Sequence, residues 1–192
     1  MNYALIEKYR DINVAHNWYE SVIEQFKADM AAIGIKVGEV YFSGFWSQGD
    51  GACFEGRVID WDKFLAHLGY TDPVLVDHAY NYWEFSCSQK GRYYHEYSVE
   101  FDYYTPMPDS RTDEEDFINS FGPYDPDDLR SRAWFAVLDQ YSHINFAETI
   151  KDVFRDHMRS LYRKLEAEYD YLTSDEAVWE AIVANELDVE TA

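Results

Sequence analysis

The sequence predicts an α+β fold, in which an antiparallel sheet of two hairpins is packed with N-terminal and C-terminal helices. Apolar residues recur at three- and four-residue steps near both ends of the chain, which indicates amphipathic helices. Two β-prone stretches in the middle are each interrupted by a glycine-containing turn. A chain of 192 residues, 47% of them hydrophobic, suits one well-buried core. We therefore expect a single acidic domain over residues 1–192.

The N-terminal helix is indicated by one apolar face that ends at Gly34, a residue suited to a left-handed helix stop. That face consists of Tyr19, Val22, Ile23, Phe26, Met30 and Ile33. Residues 5–12 either extend this helix or form a separate short one. Helical spacing returns over residues 146–172, and residues 173–176 match a capping box before a last helix.

The first predicted hairpin covers residues 37–59 and turns within residues 47–51, where an Asp-Gly pair tolerates positive φ. Two short helices are predicted next, one over residues 62–68 that ends at Gly69 and one over residues 72–80.

The second predicted hairpin pairs residues 82–88 with residues 92–104 across Gln89-Lys90-Gly91. Along its second strand, side chains alternate between an apolar face and an exposed face, as in a half-exposed antiparallel strand. The exposed face carries three candidate partner-binding acids: Glu96, Glu100 and Asp102.

The charge balance excludes several classes of function. Lys and Arg number 16, Asp and Glu number 37, and the net charge is −21. Binding to phosphates needs cations that release counterions, so direct binding to nucleic acid or to anionic lipid is disfavoured. The expected partners are instead basic protein surfaces or cations, which the negative field of the whole molecule attracts.

The compartment follows from the cysteines and from the absence of targeting signals. Cys53 and Cys87 are too few for a disulfide framework and are predicted to be free, buried thiols. Residues 1–10 contain no apolar run after a basic start, and no segment approaches the roughly 20 apolar residues of a membrane span. We expect a cytoplasmic protein with no membrane partner.

Acidic residues recur in patterns that local stability does not explain. The pairs Glu7/Asp11, Glu20/Glu24 and Glu166/Asp170 place like charges side by side on helix faces, which slightly destabilises a helix. Residues 105–132 form an acidic loop with a run of four further candidate residues: Asp113, Glu114, Glu115 and Asp116. Two interpretations stay open: rows of charge that mimic a nucleic-acid backbone, or a surface that only keeps the protein soluble.

One row of basic residues, the basic stripe, is an exception to the acidic character of the chain. Four cations stand four residues apart on the predicted C-terminal helix: Lys151, Arg155, Arg159 and Arg163. They either bind an anionic ligand or pair with acids nearby, and the adjacent Asp152 and Asp156 favour pairing.

Residues 43–51 form the most site-like segment, because glycines, aromatic rings and polar side chains occur together there. Trp46 and Asp50 are its candidate binding residues, and a tight hairpin with a buried Trp is the competing interpretation. The segment lacks the Gly-Lys-Ser/Thr of a phosphate loop and the Gly-x-Ser-x-Gly of a nucleophile elbow. If the protein is an enzyme, its site would lie near Ser47, Asp50 and His95.

No complete catalytic or metal-binding motif is present in the sequence. None of the six histidines forms His-x-x-x-His or accompanies a Cys-x-x-Cys pair. We therefore expect no metal and no other cofactor, and the sequence favours a binding protein over an enzyme.

Two stretches resemble a poorly characterised family of bacteriophage and prophage proteins, sometimes labelled antitoxin-like. They are FSGFWSQGDGACF at residues 42–54 and the helical segment over residues 161–174. The resemblance implies a phage origin and carries no catalytic residues.

Small acidic phage proteins often bind and block a host defence enzyme. The expected function is therefore inhibition of a nucleic-acid-binding host complex of the restriction or CRISPR type, through contact with a basic surface of that protein or nucleoprotein complex. The alternatives are a small phage enzyme or ligand-binding protein and an antitoxin-like binder of a basic toxin.

Overall fold

The computed structural model describes residues 2–104, 127, 132, 135, 140–141 and 143–187. Within this part of the chain a four-stranded antiparallel sheet is packed with N-terminal and C-terminal helices, which confirms the predicted α+β fold. The elements in chain order are α1 Tyr3–Lys8, α2 Glu20–Ala32, β1 Ile35–Phe42, β2 Ala52–Val58, α3 Trp61–His67, α4 Pro73–Tyr82, β3 Glu84–Gln89, β4 Val99–Tyr104, α5 Phe146–Leu172 and α6 Asp175–Ala184.

The sheet has the order β1-β2-β3-β4, and every neighbouring pair is antiparallel. The register places four residues in one row across the sheet: Lys36, Arg57, Ser86 and Asp102. A bulge interrupts the β1–β2 ladder between Val37 and Val40. Because side chains alternate along each strand, this row lies on the face opposite to Phe54 and Phe85.

The inner face of the sheet is covered by α2 and α5. The Phe154 ring of α5 lies 5.7 Å from that of Phe54, 5.3 Å from that of Phe85 and 6.2 Å from that of Phe101. Phe26 of α2 completes the contact, 5.4 Å from Phe54. These rings form the centre of the main core, where aromatic pairs add stability beyond their buried area.

A smaller apolar cluster joins the two ends of the described chain. Ile6 of α1 is buried against Val178 and Ile182 of α6. Close to this cluster, the Arg10 guanidinium donates to the carbonyl of Thr173 at 2.9 Å and forms an ion pair with Asp175.

Several predicted boundaries are confirmed. The helix stops at Gly34 and Gly69 have φ of +85° and +87°, values that glycine adopts without steric penalty. Residues 5–12, which the sequence left open, contain the end of a separate helix, α1. Asp72 caps α4 by accepting from the Val74 amide.

Two predicted details are wrong. The last strand begins at Val99 rather than Arg92, because the Ser98 amide donates to the His95 carbonyl and closes a turn there. The connection between β3 and β4 therefore spans residues 90–98, and Lys90 N–H donates to Ser98 O across its base at 2.8 Å. The N-cap of α6 is Ser174, whereas Thr173 is the C-cap of α5.

The cysteines are as predicted. Cys53 and Cys87 are buried and not disulfide-bonded. Desolvation raises the pKa of each thiol to about 12, so both stay protonated at neutral pH. In the described part of the chain, no helix combines the length and the apolar character needed to cross a membrane.

Candidate functional site

The connection between β1 and β2, residues 43–51, is held in shape by one carboxylate and is called here the Asp50 loop. Oδ2 of Asp50 accepts from the backbone amides of Trp46 at 3.0 Å and Ser47 at 2.7 Å. The base of the loop is closed by Ser43, whose N–H donates to Gly51 O and whose Oγ accepts from Gly51 N–H. Because backbone amides and a carboxylate pair strongly, the loop has a defined conformation without burying its tip.

The Asp50 loop packs against the 90–98 connection of the second hairpin. A Cβ on Gly51 would lie 2.6 Å from the Cβ of His95 and 2.7 Å from the carbonyl oxygen of Tyr94. Only glycine allows so close an approach. The structure therefore brings the two site-like segments of the sequence together.

This contact bears on the enzymatic alternative near Ser47, Asp50 and His95. The carboxylate of Asp50 is engaged by two loop amides, and Nδ1 of His95 accepts from the Tyr97 amide at 3.1 Å. Both side chains thus have structural roles in shaping their own connections.

Trp46 lies at the centre of an exposed aromatic surface, the Trp46 patch, formed by Phe45, Trp46, Tyr162 and Tyr169. Trp46 is 75% exposed, and its ring meets that of Tyr169 edge-on at 5.3 Å. Phe45 lies beneath it, 5.6 Å from Tyr162 and 5.2 Å from Tyr169. The predicted alternative of a buried Trp in a tight hairpin is therefore wrong, because the ring rests on the outer surface of α5.

Carboxylates surround the Trp46 patch. Desolvation raises the pKa of Tyr162, and the charges of Glu166 and Asp50 raise it further. The pKa of Tyr169 is raised in the same way, by desolvation and then by Asp11 and Asp170. Both tyrosines of the patch therefore lie close enough to carboxylates to feel their charge.

Three other predicted partner-binding acids, Glu96, Glu100 and Asp102, are described, and none of them is a member of the Trp46 patch. Glu96 belongs to the 90–98 connection rather than to β4, and it pairs with Arg159 at 3.6 Å. Glu100 pairs with Lys90 at 2.7 Å, and Asp102 lies on the outer face of the sheet opposite Ser86. Asp113, Glu114, Glu115 and Asp116 lie outside the described residues.

Three of the four cations in the basic stripe of α5 are paired with nearby acids, as the adjacent Asp152 and Asp156 favoured. Lys151 pairs with Glu148 at 2.6 Å, Arg155 with Asp152 at 3.2 Å, and Arg159 with Asp156 and Glu96. Arg163, the last of the four, is exposed.

Two of these cations also pack on rings of the second hairpin. Lys151 lies 4.3 Å from the centroid of Tyr103, and Arg155 lies 5.5 Å from that of Tyr97. The stripe therefore attaches α5 to the sheet, through ion pairs and cation–π contacts.

Sequence reasoning missed the contribution of α5 to the patch. Tyr162 and Tyr169 are seven residues apart, so they share one helix face, and this spacing was the available signal. The Glu166/Asp170 pair, noted as unfavourable for the helix, lies at the same place. Tyr162 and Tyr169 meet Phe45 and Trp46 of the Asp50 loop, a contact that spacing along the chain cannot reveal.

The described residues include no cluster of three or more His, Cys, Asp or Glu side chains placed to hold a metal ion. Comparison with curated proteins and with solved structures gave no match. One family model, a domain of unknown function (DUF8835), matches residues 18–175, which include the sheet, the Asp50 loop and all of α5. The chain therefore belongs to the DUF8835 family.

Proposed function

We propose that this protein acts by binding, and that its Trp46 patch docks on a basic surface of a partner protein. The observation that carries the proposal is a 75% exposed Trp on a loop fixed by Asp50, surrounded by carboxylates. Exposed Trp in a defined conformation is the residue type that dominates binding energy at protein interfaces.

The chemistry of the patch selects a cationic partner. The face of a Trp ring attracts the guanidinium of Arg or the ammonium of Lys. Asp11, Asp50, Glu166 and Asp170 add negative potential around the ring, so an arginine seated on Trp46 gains from both effects. The net charge of −21 steers such a partner over longer distances.

A nucleic acid fits this surface poorly. Proteins that stack bases on aromatic rings also supply a cationic groove for the phosphates. The charges that raise the pKa of Tyr162 and Tyr169 are carboxylates, and Arg159, one turn before Tyr162 on α5, is paired with Asp156 and Glu96. Arg163, next to Tyr162 in the chain, is an exposed cation, but one cation does not make a groove. Repulsion between phosphates and these acids opposes direct binding.

The more specific form of the proposal is inhibition. A basic patch is the electrostatic footprint of a nucleic-acid-binding protein, so a protein docked on such a patch competes with the nucleic acid. We propose that the partner is a nucleic-acid-binding defence complex of a bacterial host and that this chain is a phage-encoded inhibitor of it. The mechanism is steric and electrostatic blockade, with Glu100 and Asp102 as further exposed acids.

The test is an affinity capture from bacterial lysate with the wild-type protein, with Trp46→Ala and with Tyr171→Ala. Tyr171 is a matched control because it is 63% exposed on the same helix but lies outside the patch. The wild-type protein and Tyr171→Ala should capture the same nucleic-acid-binding protein at low salt. Trp46→Ala should bind that protein at least about thirtyfold more weakly, the size of a hot-spot loss.

Two further measurements separate specific docking from non-specific charge attraction. Duplex DNA added to the captured complex should release it, because both ligands compete for one basic surface. Raising the salt from about 50 mM to about 500 mM should weaken capture, since exposed charges are screened. Equal capture by Trp46→Ala and wild type would exclude the patch as the contact. Capture that duplex DNA leaves unchanged would exclude the inhibitory form.

A further inference from the structure

The outer face of the sheet contains a shallow groove on the side opposite to α5. Its volume is about 240 Å³, and it crosses β1, β2 and β3. The residues that line it are Lys36, Gly38, Glu55, Gly56, Arg57 and Ser86. None of them belongs to the Trp46 patch.

Two cations face each other across the groove. Lys36 of β1 and Arg57 of β2 are directly opposite in the register, and both are exposed. Like charges at this position repel and weaken a strand pair. The pairing therefore costs stability unless a negative group lies between the two side chains.

The protein does not supply that negative group from its described residues. Seven other cations of the described chain are held in ion pairs: Arg10, Lys63, Lys90, Lys151, Arg155, Arg159 and Lys164. Neither Lys36 nor Arg57 has a described carboxylate within ion-pair distance. The chain has 37 acidic and 16 basic residues, so its overall charge is negative. Two adjacent cations without an ion pair therefore make a small region of positive charge on a negative protein.

The groove is open because of Gly38. A Cβ at this position would meet only Glu55, with its nearest atom, the carbonyl oxygen, at 3.4 Å. An alanine would fit without strain and would occupy part of the groove. Ser86, the cross-strand neighbour of Arg57, lies on the far side, and its hydroxyl donates to the carbonyl of Asp102 at 3.5 Å.

Glu55 is the one acid in the lining, and its position limits where an anion can lie. Its Oε1 accepts from the hydroxyl of Tyr41 at 3.3 Å. This hydrogen bond holds the carboxylate toward the Tyr41 end of β1, so Lys36 and Arg57 form the more positive part of the groove. Asp102, opposite Ser86 in the same row, bounds that part on the β4 side.

We propose that this groove binds a small molecule through a phosphate group, held by Lys36 and Arg57. The Arg fork matches two phosphate oxygens at once, and Lys adds a point charge beside it. The volume exceeds that of a bare phosphate, so the rest of the ligand extends toward Gly38 and Gly56.

The test uses inorganic phosphate as the probe and nuclear magnetic resonance of the backbone amides as the readout. Phosphate should shift the amides of Gly38, Gly56 and Ser86 saturably, with a dissociation constant of about 10 mM or tighter. Arg57→Gln should weaken binding about tenfold or more, the loss of a charge-assisted hydrogen bond. Lys27→Gln is the matched control, because it removes the same charge from an exposed residue of α2 outside the groove.

Two variants of groove residues should change the affinity for phosphate compounds in opposite directions. Together they show whether binding takes place in the groove. Glu55→Gln should tighten phosphate binding, because it removes the negative charge from the lining. Gly38→Ala should weaken binding of a larger phosphate monoester, glycerol 3-phosphate, more than that of inorganic phosphate, because the added methyl group occupies the extension.

The proposal is overturned if phosphate produces no saturable shifts or if Lys27→Gln loses as much affinity as Arg57→Gln. Tighter binding of acetate than of phosphate would exclude the phosphate class. The Trp46→Ala variant should bind phosphate like the wild type, so the outcome here is independent of the function proposed for the Trp46 patch.

Discussion

Two aspartates ten residues apart make the same kind of contact and have opposite consequences for a neighbouring Trp. Asp50 accepts from the amides of Trp46 and Ser47, and Trp46 is 75% exposed. Asp60 is the N-cap of α3 and accepts from the Lys63 amide, and Trp61 is 4% exposed. A carboxylate bound to backbone amides fixes where the ring points, but only the surroundings decide whether it is covered. Trp61 serves the core, whereas the exposure of Trp46 has no such explanation.

The largest expected difference in stability is between variants that remove the Trp61 ring and variants that remove the Trp46 ring. Trp61→Ala should lower the free energy of unfolding by about 3–5 kcal/mol, because the ring is buried against Trp83 at 5.5 Å and Phe64 at 5.9 Å. Trp46→Ala should change it by less than about 0.5 kcal/mol. Urea denaturation of both variants makes the comparison, and a loss of more than about 2 kcal/mol for Trp46→Ala would assign that ring to the core.

A smaller effect concerns the charge of Asp60. Hydrogen bonds from Lys63 and Tyr80 lower its pKa from 3.8 to about 2. A carboxyl whose pKa is lower in the folded state contributes stability above pH 3.8, and this contribution is lost as the pH falls from 3.8 to about 2. Asp60→Asn keeps a capping oxygen but cannot titrate, so its stability should depend less on pH in this window.

The difference between wild type and Asp60→Asn should shrink by about 1–2 kcal/mol across that window, after allowance for partial exposure. Denaturation curves at about pH 5 and about pH 2.5 measure it. A difference that stays constant would mean that the cap does not depend on the charge.

The smallest effect concerns Asp50. Asp50→Ala should cost about 1 kcal/mol, because the amides of Trp46 and Ser47 lose their acceptor but regain water at the exposed loop. Asp50→Asn retains an acceptor oxygen and should keep most of that stability. Asp50→Ala and Asp50→Asn should also differ in how well they capture the partner protein. Asp50→Ala should capture less of it, because its loop no longer holds Trp46 in place. Equal capture by both would show that the loop conformation is not needed.

The elements of the fold could be predicted where the signal is local. The helical spacing of Phe146 to Leu172 and the glycine stops at Gly34 and Gly69 depend only on neighbouring residues. The start of β4 could not be placed, because the alternation of side chains continues through residues 92–98 although the backbone turns there. The deciding contact is a hydrogen bond between Ser98 and His95, which composition does not indicate.

The candidate site was predicted only in part for a related reason. Trp46 and Asp50 belong to one segment whose composition is unusual, so they could be selected from the sequence. Tyr162 and Tyr169 come from α5, more than a hundred residues away in the chain, and meet Phe45 only in the folded protein. Glu96 was placed on the wrong element, and its pairing with Arg159 depends on that same long-range packing.

Helix α5 contacts the rest of the molecule at several separate positions along its axis. Near its beginning Lys151 donates to the hydroxyl of Tyr103 at 3.2 Å, and in its second half Tyr162 donates to the carbonyl of Gly44 at 3.3 Å. From Lys151 to Tyr169 the helix rises roughly 27 Å. A shift of α5 by one turn along its axis would break all of these contacts together. The helix therefore fixes the distance between the two ends of the surface that it contacts. Any partner that engages both the Trp46 patch and the edge of the sheet at Tyr103 must space its own contacts to that length.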